Sequence, residues 1–84
     1  MKPNPRLHAA IMEVVENQLR DRDPPEAKET LDRLVAEGND EQEARRLIAC
    51  VVSSEIFDIL KNGKMFDAKR YAKALSRLPT LPWE

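Results

Sequence analysis

Residues 40–62 form the stretch that most constrains how this chain can fold. They read DEQEARRLIACVVSSEIFDILKN, and their apolar side chains recur at steps of three and four residues, as on one face of an α-helix. Ala49 and Cys50 widen that face beyond what contact with one neighbouring helix requires. The sequence therefore predicts an all-α fold, a compact four-helix bundle with this apolar third helix at its centre. The other apolar positions that recur at this spacing are Ala44, Leu47, Ile48, Val51, Val52, Ile56, Ile59 and Leu60.

The other helices are predicted from their start and stop signals. Asp and Asn cap helix N-termini, and proline is tolerated at the first helical position. Asn4 and Asp23 therefore begin the first two helices, Asn39 or Asp40 begins the third, and Asp67 begins the fourth. Gly38 and Gly63 can adopt the left-handed conformation that ends a helix. We expect helices over about 5–20, 24–37, 40–62 and 67–78, followed by an extended tail over 79–84.

The first helix is expected to bury one apolar stripe made of Leu7, Ile11, Val14, Val15 and Leu19, which are spaced at helical intervals.

The length of 84 residues allows one domain, 1–84, and a single cysteine excludes an internal disulfide framework or a cysteine-based zinc cluster. The N-terminus has no apolar run like that of a signal peptide, and no segment approaches the roughly 18 apolar residues that span a membrane. We therefore expect a bacterial-type cytoplasmic protein without membrane contact, and the sequence indicates no cofactor.

Charge is unevenly distributed along the chain. Residues 1–60 carry 8 Lys and Arg against 13 Asp and Glu, whereas residues 61–83 carry 6 cations and one acid. A basic end of this kind attracts an anionic partner or the acidic body of another copy. One hypothesis is that the basic face of the predicted fourth helix binds nucleic acid. The alternative is that these cations simply face solvent. The cations concerned are Lys69, Arg70, Lys73 and Arg77.

His8 and Glu55 are the candidates for a metal or acid–base site. Glu55 lies four residues after Val51 and four before Ile59, so it projects from the apolar face of the third helix. A buried carboxylate needs a partner, and we consider His8 or Arg6 for that role. The structural alternative is a pair that fixes how the helices align. No catalytic motif is present, and we assign no catalytic residue.

Phe66 and Trp83 flank the predicted fourth helix. We expect both to cover the core, with Leu81 and Trp83 folding back onto the bundle. If exposed, either aromatic side chain becomes a candidate for partner binding.

Three stretches together resemble a known family. They are NPRLHAAIMEVVENQL, the DPPE turn and L-x-x-L-V-A-E-G-x-x-x-x-E-A, and they lie within residues 4–60. They resemble the small helical bacterial proteins of the domain of unknown function 1841 family and its relatives. The resemblance implies a helical fold and no established activity. Relatives often carry a second histidine after the E-A pair, where this chain has Arg45 and Arg46.

The function that we expect from the sequence is a non-enzymatic one. The apolar face of the third helix is wider than the other helices of this short chain can cover. We therefore expect a small protein-interaction or accessory module, with a homodimer as one form. Nucleic-acid association and a site at His8 and Glu55 are the alternatives.

Overall fold

The third helix begins and ends where local signals predict. The computed structural model describes residues 5–84, and in it α3 spans Glu41–Asn62. The carboxylate of Asp40 accepts a hydrogen bond of 2.8 Å from the backbone N–H of Glu43, which satisfies a donor that the first helical turn leaves free. Gly63 follows the helix at φ 65°, and its N–H donates to the carbonyl of Ile59. Both ends are therefore fixed by single residues.

The remaining helices of the described residues are α1 (Pro5–Asp21), α2 (Pro25–Ala36) and α4 (Ala68–Arg77). The carboxylate of Asp67 accepts hydrogen bonds from the N–H groups of Lys69 and Arg70, which confirms it as the cap of α4. The predicted cap of α1, Asn4, lies outside the described residues.

The start of α2 differs from the prediction. Pro24 is the N-cap, with extended φ and ψ, and no side chain caps the helix. Asp23 lies one residue too early for that role, so its predicted capping function is wrong. Proline at the cap and at the first helical position presets the backbone instead.

The four helices pack into one bundle around α3, which confirms the predicted fold class. α3 contacts α1, α2 and α4, and α2 also contacts all three other helices. The core is a single cluster in which every helix takes part. Its largest fully buried side chains are Val15, Leu34, Ile48, Val51, Tyr71, Leu75 and Leu78.

The C-terminal tail forms turns and is not extended as predicted. The N–H of Thr80 donates to the carbonyl of Arg77, and the N–H of Glu84 donates to the carbonyl of Leu81. The side chain of Glu84 in turn accepts from the N–H of Leu81. Leu81 packs against the core as expected, but Trp83 is 63% exposed, so the expectation that it covers the core is wrong.

Within residues 5–84, none of the helices has the length and apolar character needed to cross a membrane.

Candidate functional site

The C-terminal end of α3 is not covered by the rest of the bundle. From Ala44 to Val52 the apolar side chains of this helix are buried except for the half-buried Cys50, whereas Ile56 and Ile59 are half-buried and Leu60 is 79% exposed. The four-helix bundle therefore covers the wide apolar face of α3 along its first part only. The last two turns keep apolar side chains in solvent.

Two positions of α1 that the stripe places in the core are also exposed. Leu7 and Val14 are 47% and 38% exposed, while Ile11, Val15 and Leu19 are buried. The five positions span a wider arc of the helix than the neighbouring helices cover. The side chains at the edge of this arc, Leu7 and Val14, therefore stay in solvent. The prediction that Leu7 and Val14 are buried is therefore wrong.

Val14, Ile56, Ile59 and Phe66 line one groove, and we call these side chains, together with the exposed apolar residues of the same helices and of the loop between α3 and α4, the apolar patch. Met65 and Phe66 of this loop are 88% and 55% exposed. Phe66 packs its ring against Tyr71 with the centroids 5.7 Å apart, and this contact holds the loop beside the bundle. The apolar patch consists of Leu7, Val14, Ile56, Phe57, Ile59, Leu60, Met65 and Phe66.

A groove lies within the apolar patch, between α1 and α3. Its volume is about 270 Å³, and we call it the apolar groove. Val14 and Gln18 line it from α1, and Phe66 lines it from the loop between α3 and α4. The rest of its lining is formed by Val52, Glu55, Ile56 and Ile59 of α3 and by Tyr71 of α4. Almost all of the surface that it presents is apolar, as in grooves that receive apolar side chains of a partner.

Glu55 is buried, as its position in the apolar face predicts, and it is only 6% exposed. Its partner is Arg70 of α4. The guanidinium donates from Nε to both carboxylate oxygens at 3.2 and 3.3 Å, and from Nη2 to Oε2 at 2.8 Å. These hydrogen bonds raise the pKa of Arg70 above its ordinary value. The pair joins α3 to α4 and satisfies the carboxylate.

The link between His8 and Glu55 that the sequence left open as one alternative is therefore replaced by one between α3 and α4. His8 is exposed on α1, and the hydrogen bonds of Glu55 come from Arg70. The sequence does not reveal this pairing, because the two residues lie 15 positions apart on different helices. Their meeting depends on the angle at which α4 packs on α3.

Tyr71 joins α4 to α1 beneath the apolar groove. It is 1% exposed, and its hydroxyl donates a hydrogen bond of 2.6 Å to Oε1 of Gln18. Burial raises the pKa of Tyr71 to about 12, because the phenolate would be poorly solvated there. The tyrosine in the lining of the groove is therefore uncharged at neutral pH.

A second groove, about 350 Å³ in volume, lies on the other side of α3 against α4 and the tail. We call it the polar groove. Lys73 and Arg77 line it together with Arg70, but the acids Asp58 and Glu84 line it as well. The basic face predicted for the fourth helix is thus divided, since Arg70 is held by Glu55. Lys69 is exposed outside this groove.

Cys50 offers no reactive thiolate in this arrangement. Burial raises the pKa of its thiol, although the nearby Arg46 acts in the opposite direction. Among residues 5–84, no three His, Cys, Asp or Glu side chains are grouped so that they could hold a metal ion.

Comparison with known proteins finds no family model, no curated protein and no solved structure that matches this chain. The resemblance to the domain of unknown function 1841 family stays a prediction.

Proposed function

We propose that this protein is a non-enzymatic protein-interaction or accessory module and that the apolar patch is its docking surface. The observation that supports this proposal is the exposure of large apolar side chains on neighbouring turns of α3 and on the loop that follows. Leu60 and Met65 are more than three-quarters exposed. A cytoplasmic, bacterial-type location, expected from the sequence, is part of the proposal.

The exposed apolar area is at the upper end of what an ordinary monomer presents, a size at which such patches often have a function. A large side chain presents about 200 Å² when fully exposed. At the exposed fractions of Phe57, Leu60, Met65 and Phe66, these four residues alone present roughly 550 Å². The largest apolar patch on an ordinary monomer is about 300–600 Å², and a standard interface buries about 800 Å² on each partner. With Leu7 and Val14, the patch approaches the area that a specific interface needs.

Two kinds of partner would cover this surface. A second copy of the chain gives the homodimer expected from the sequence, and a segment of another protein gives a heteromeric complex. Both use the same apolar side chains, so both are lost when those side chains are made polar.

The test compares two sets of variants in the cells that naturally make the protein. Leu60→Gln combined with Met65→Gln removes apolar surface from the patch without adding charge. Val35→Gln is the matched control, because Val35 is a 41% exposed apolar residue of α2.

We expect affinity purification to recover a partner, or sedimentation to show a dimer, with the wild type and with Val35→Gln but not with the patch variant. Circular dichroism and the free energy of unfolding serve as folding controls, and all three proteins should remain folded. Identical recovery and identical oligomeric state for the three would overturn the proposal.

Nucleic-acid association remains a second candidate, which Lys73 and Arg77 support. Both are exposed, and neither forms an ion pair with another residue in the described part of the chain. The acids Asp58 and Glu84 in the same groove reduce its positive potential.

This alternative predicts binding to duplex DNA or RNA that weakens steeply with salt. Charge reversal at Lys69, Lys73 and Arg77 should abolish that binding. Absence of binding at low salt, or binding that does not change with salt, removes this candidate.

A further inference from the structure

We propose that the apolar groove receives an amphipathic helix of another protein and that this helix is acidic along its polar edge. The inference rests on the proposed function, and it adds the chemical class of the partner. It follows from the shape of the groove and from the charges beside it.

The shape suits a helix. The groove lies between two helices, with Val14 and Gln18 on one side and Ile56 and Ile59 on the other. An amphipathic helix places apolar side chains at i, i+3 or i+4, and i+7 into a groove of this kind. The exposed Leu60 and Met65 extend the apolar surface beyond the groove itself.

Cationic side chains beside the patch favour a partner with acidic side chains. Lys61 follows Leu60 in the last turn of α3, and Lys64 precedes Met65 in the loop. Both lysines are exposed, and neither forms an ion pair with any residue from 5 to 84. Their charges are therefore available to a partner.

The acids that lie nearest to Lys61 and Lys64 along the chain are occupied or line the polar groove. The carboxylate of Asp67 caps α4 by accepting two backbone N–H groups. Glu55 is held by Arg70, and Asp58 lines the polar groove. The loop side of the apolar patch is thus positive, and acidic side chains complement it.

The same charges argue against a second copy as the occupant. A two-fold contact presents the same surface from both copies. The loop edge of the second copy would carry the same excess of positive charge, so it supplies no acidic side chains to complement Lys61 and Lys64. An acidic helix covers the apolar side chains and supplies those acids.

The experiment is a selection from a displayed library of helical peptides. Each peptide carries leucine at the i, i+3 or i+4, and i+7 positions, and every remaining position is varied between Glu and Lys. The baits are the wild-type protein and two variants with matched charge reversals. Lys61→Glu with Lys64→Glu alters the apolar patch, and Lys73→Glu with Arg77→Glu alters the polar groove by the same charge.

We expect the wild type and the polar-groove variant to enrich peptides rich in Glu. The patch variant should reverse the enrichment toward Lys. Selected peptides should bind the wild type at least tenfold more tightly than their Glu-to-Lys counterparts and should lose binding when Leu60→Gln and Met65→Gln are introduced.

The other outcomes separate this inference from the proposed function. If Glu-rich and Lys-rich peptides bind the apolar patch equally well, the preference for an acidic partner is overturned. The proposal that the patch is a docking surface is then still supported. A dimer that Leu60→Gln and Met65→Gln dissociate makes a second copy the occupant and overturns the inference alone. A monomer that selects no peptide at the patch, and whose partners in cells are unaffected by these substitutions, overturns both.

Discussion

The buried hydroxyl of Tyr71 predicts a loss of stability in alkaline solution. Tyr71 donates to Gln18 from a site that is 1% exposed, and burial raises its pKa to about 12. In the unfolded chain a tyrosine titrates near pH 10. The native state therefore keeps its proton over a range in which the unfolded state loses it.

The sign and size of the effect follow from linkage. Below about pH 10 the contribution of the protonated hydroxyl is fully present, and it is lost as the pH rises from about 10 to about 12. A pKa difference of about two units corresponds to about 2–3 kcal/mol of the free energy of unfolding.

Tyr71→Phe supplies the control. It removes the hydrogen bond to Gln18, which should cost about 1 kcal/mol at neutral pH. The variant has no hydroxyl to ionise, so it escapes the alkaline loss. We therefore expect the stability curves of wild type and variant to cross between about pH 10 and about pH 12.

Urea unfolding followed by circular dichroism at a series of pH values measures these curves. Lysines also titrate in this range, but they affect both proteins equally, so the difference between the curves isolates Tyr71. The chain contains one tyrosine, and its near-ultraviolet tyrosinate absorbance therefore reports its ionisation directly. Tyrosinate formation near pH 10 in the folded protein, with parallel stability curves, would refute the reasoning.

Three further predictions concern how the helices are held. In a double-mutant cycle, Glu55→Met and Arg70→Met should each lower the melting temperature, because each single change leaves its partner without a counter-charge. The double variant should lose less than the sum of the two single losses, and a loss equal to that sum would contradict the pairing. Asp40→Ala should lower the free energy of unfolding by about 1 kcal/mol by removing the N-cap of α3, and Asp40→Asn should retain most of it in urea titrations. Gly63→Ala should cost about 1 kcal/mol through its positive φ alone, because the space around it is open, so Gly63→Asn should be tolerated better; equal losses for the two would argue against the left-handed conformation.

Local signals in the sequence account for most of the helix boundaries. Asp67 caps α4 as expected, Asp40 is the one of the two candidates that caps α3, and Gly63 ends α3 with a positive φ. These features depend on one residue and its immediate neighbours, so no knowledge of packing is needed. Asp23 is the exception, because two prolines follow it and move the cap to Pro24.

The candidate site could be predicted only in part. The excess apolar width of α3 indicates that something must cover it, but not which turns the bundle leaves open. That depends on the angles between helices, which also decide that Val14 is exposed and that Glu55 meets Arg70. Trp83 ends in solvent because the tail turns back on itself after Leu81.

The central claim is that the apolar patch is covered by a partner, and the most direct measurement is photo-crosslinking from within it. A photoreactive amino acid at position 65 places the probe at the most exposed apolar side chain of the patch, and the same probe at position 35 on α2 is the control. In the cells that naturally make the protein, we predict one discrete adduct from position 65 and none from position 35. The adduct should disappear when Leu60→Gln is introduced. No adduct from position 65, or the same adducts from both positions, would contradict the account.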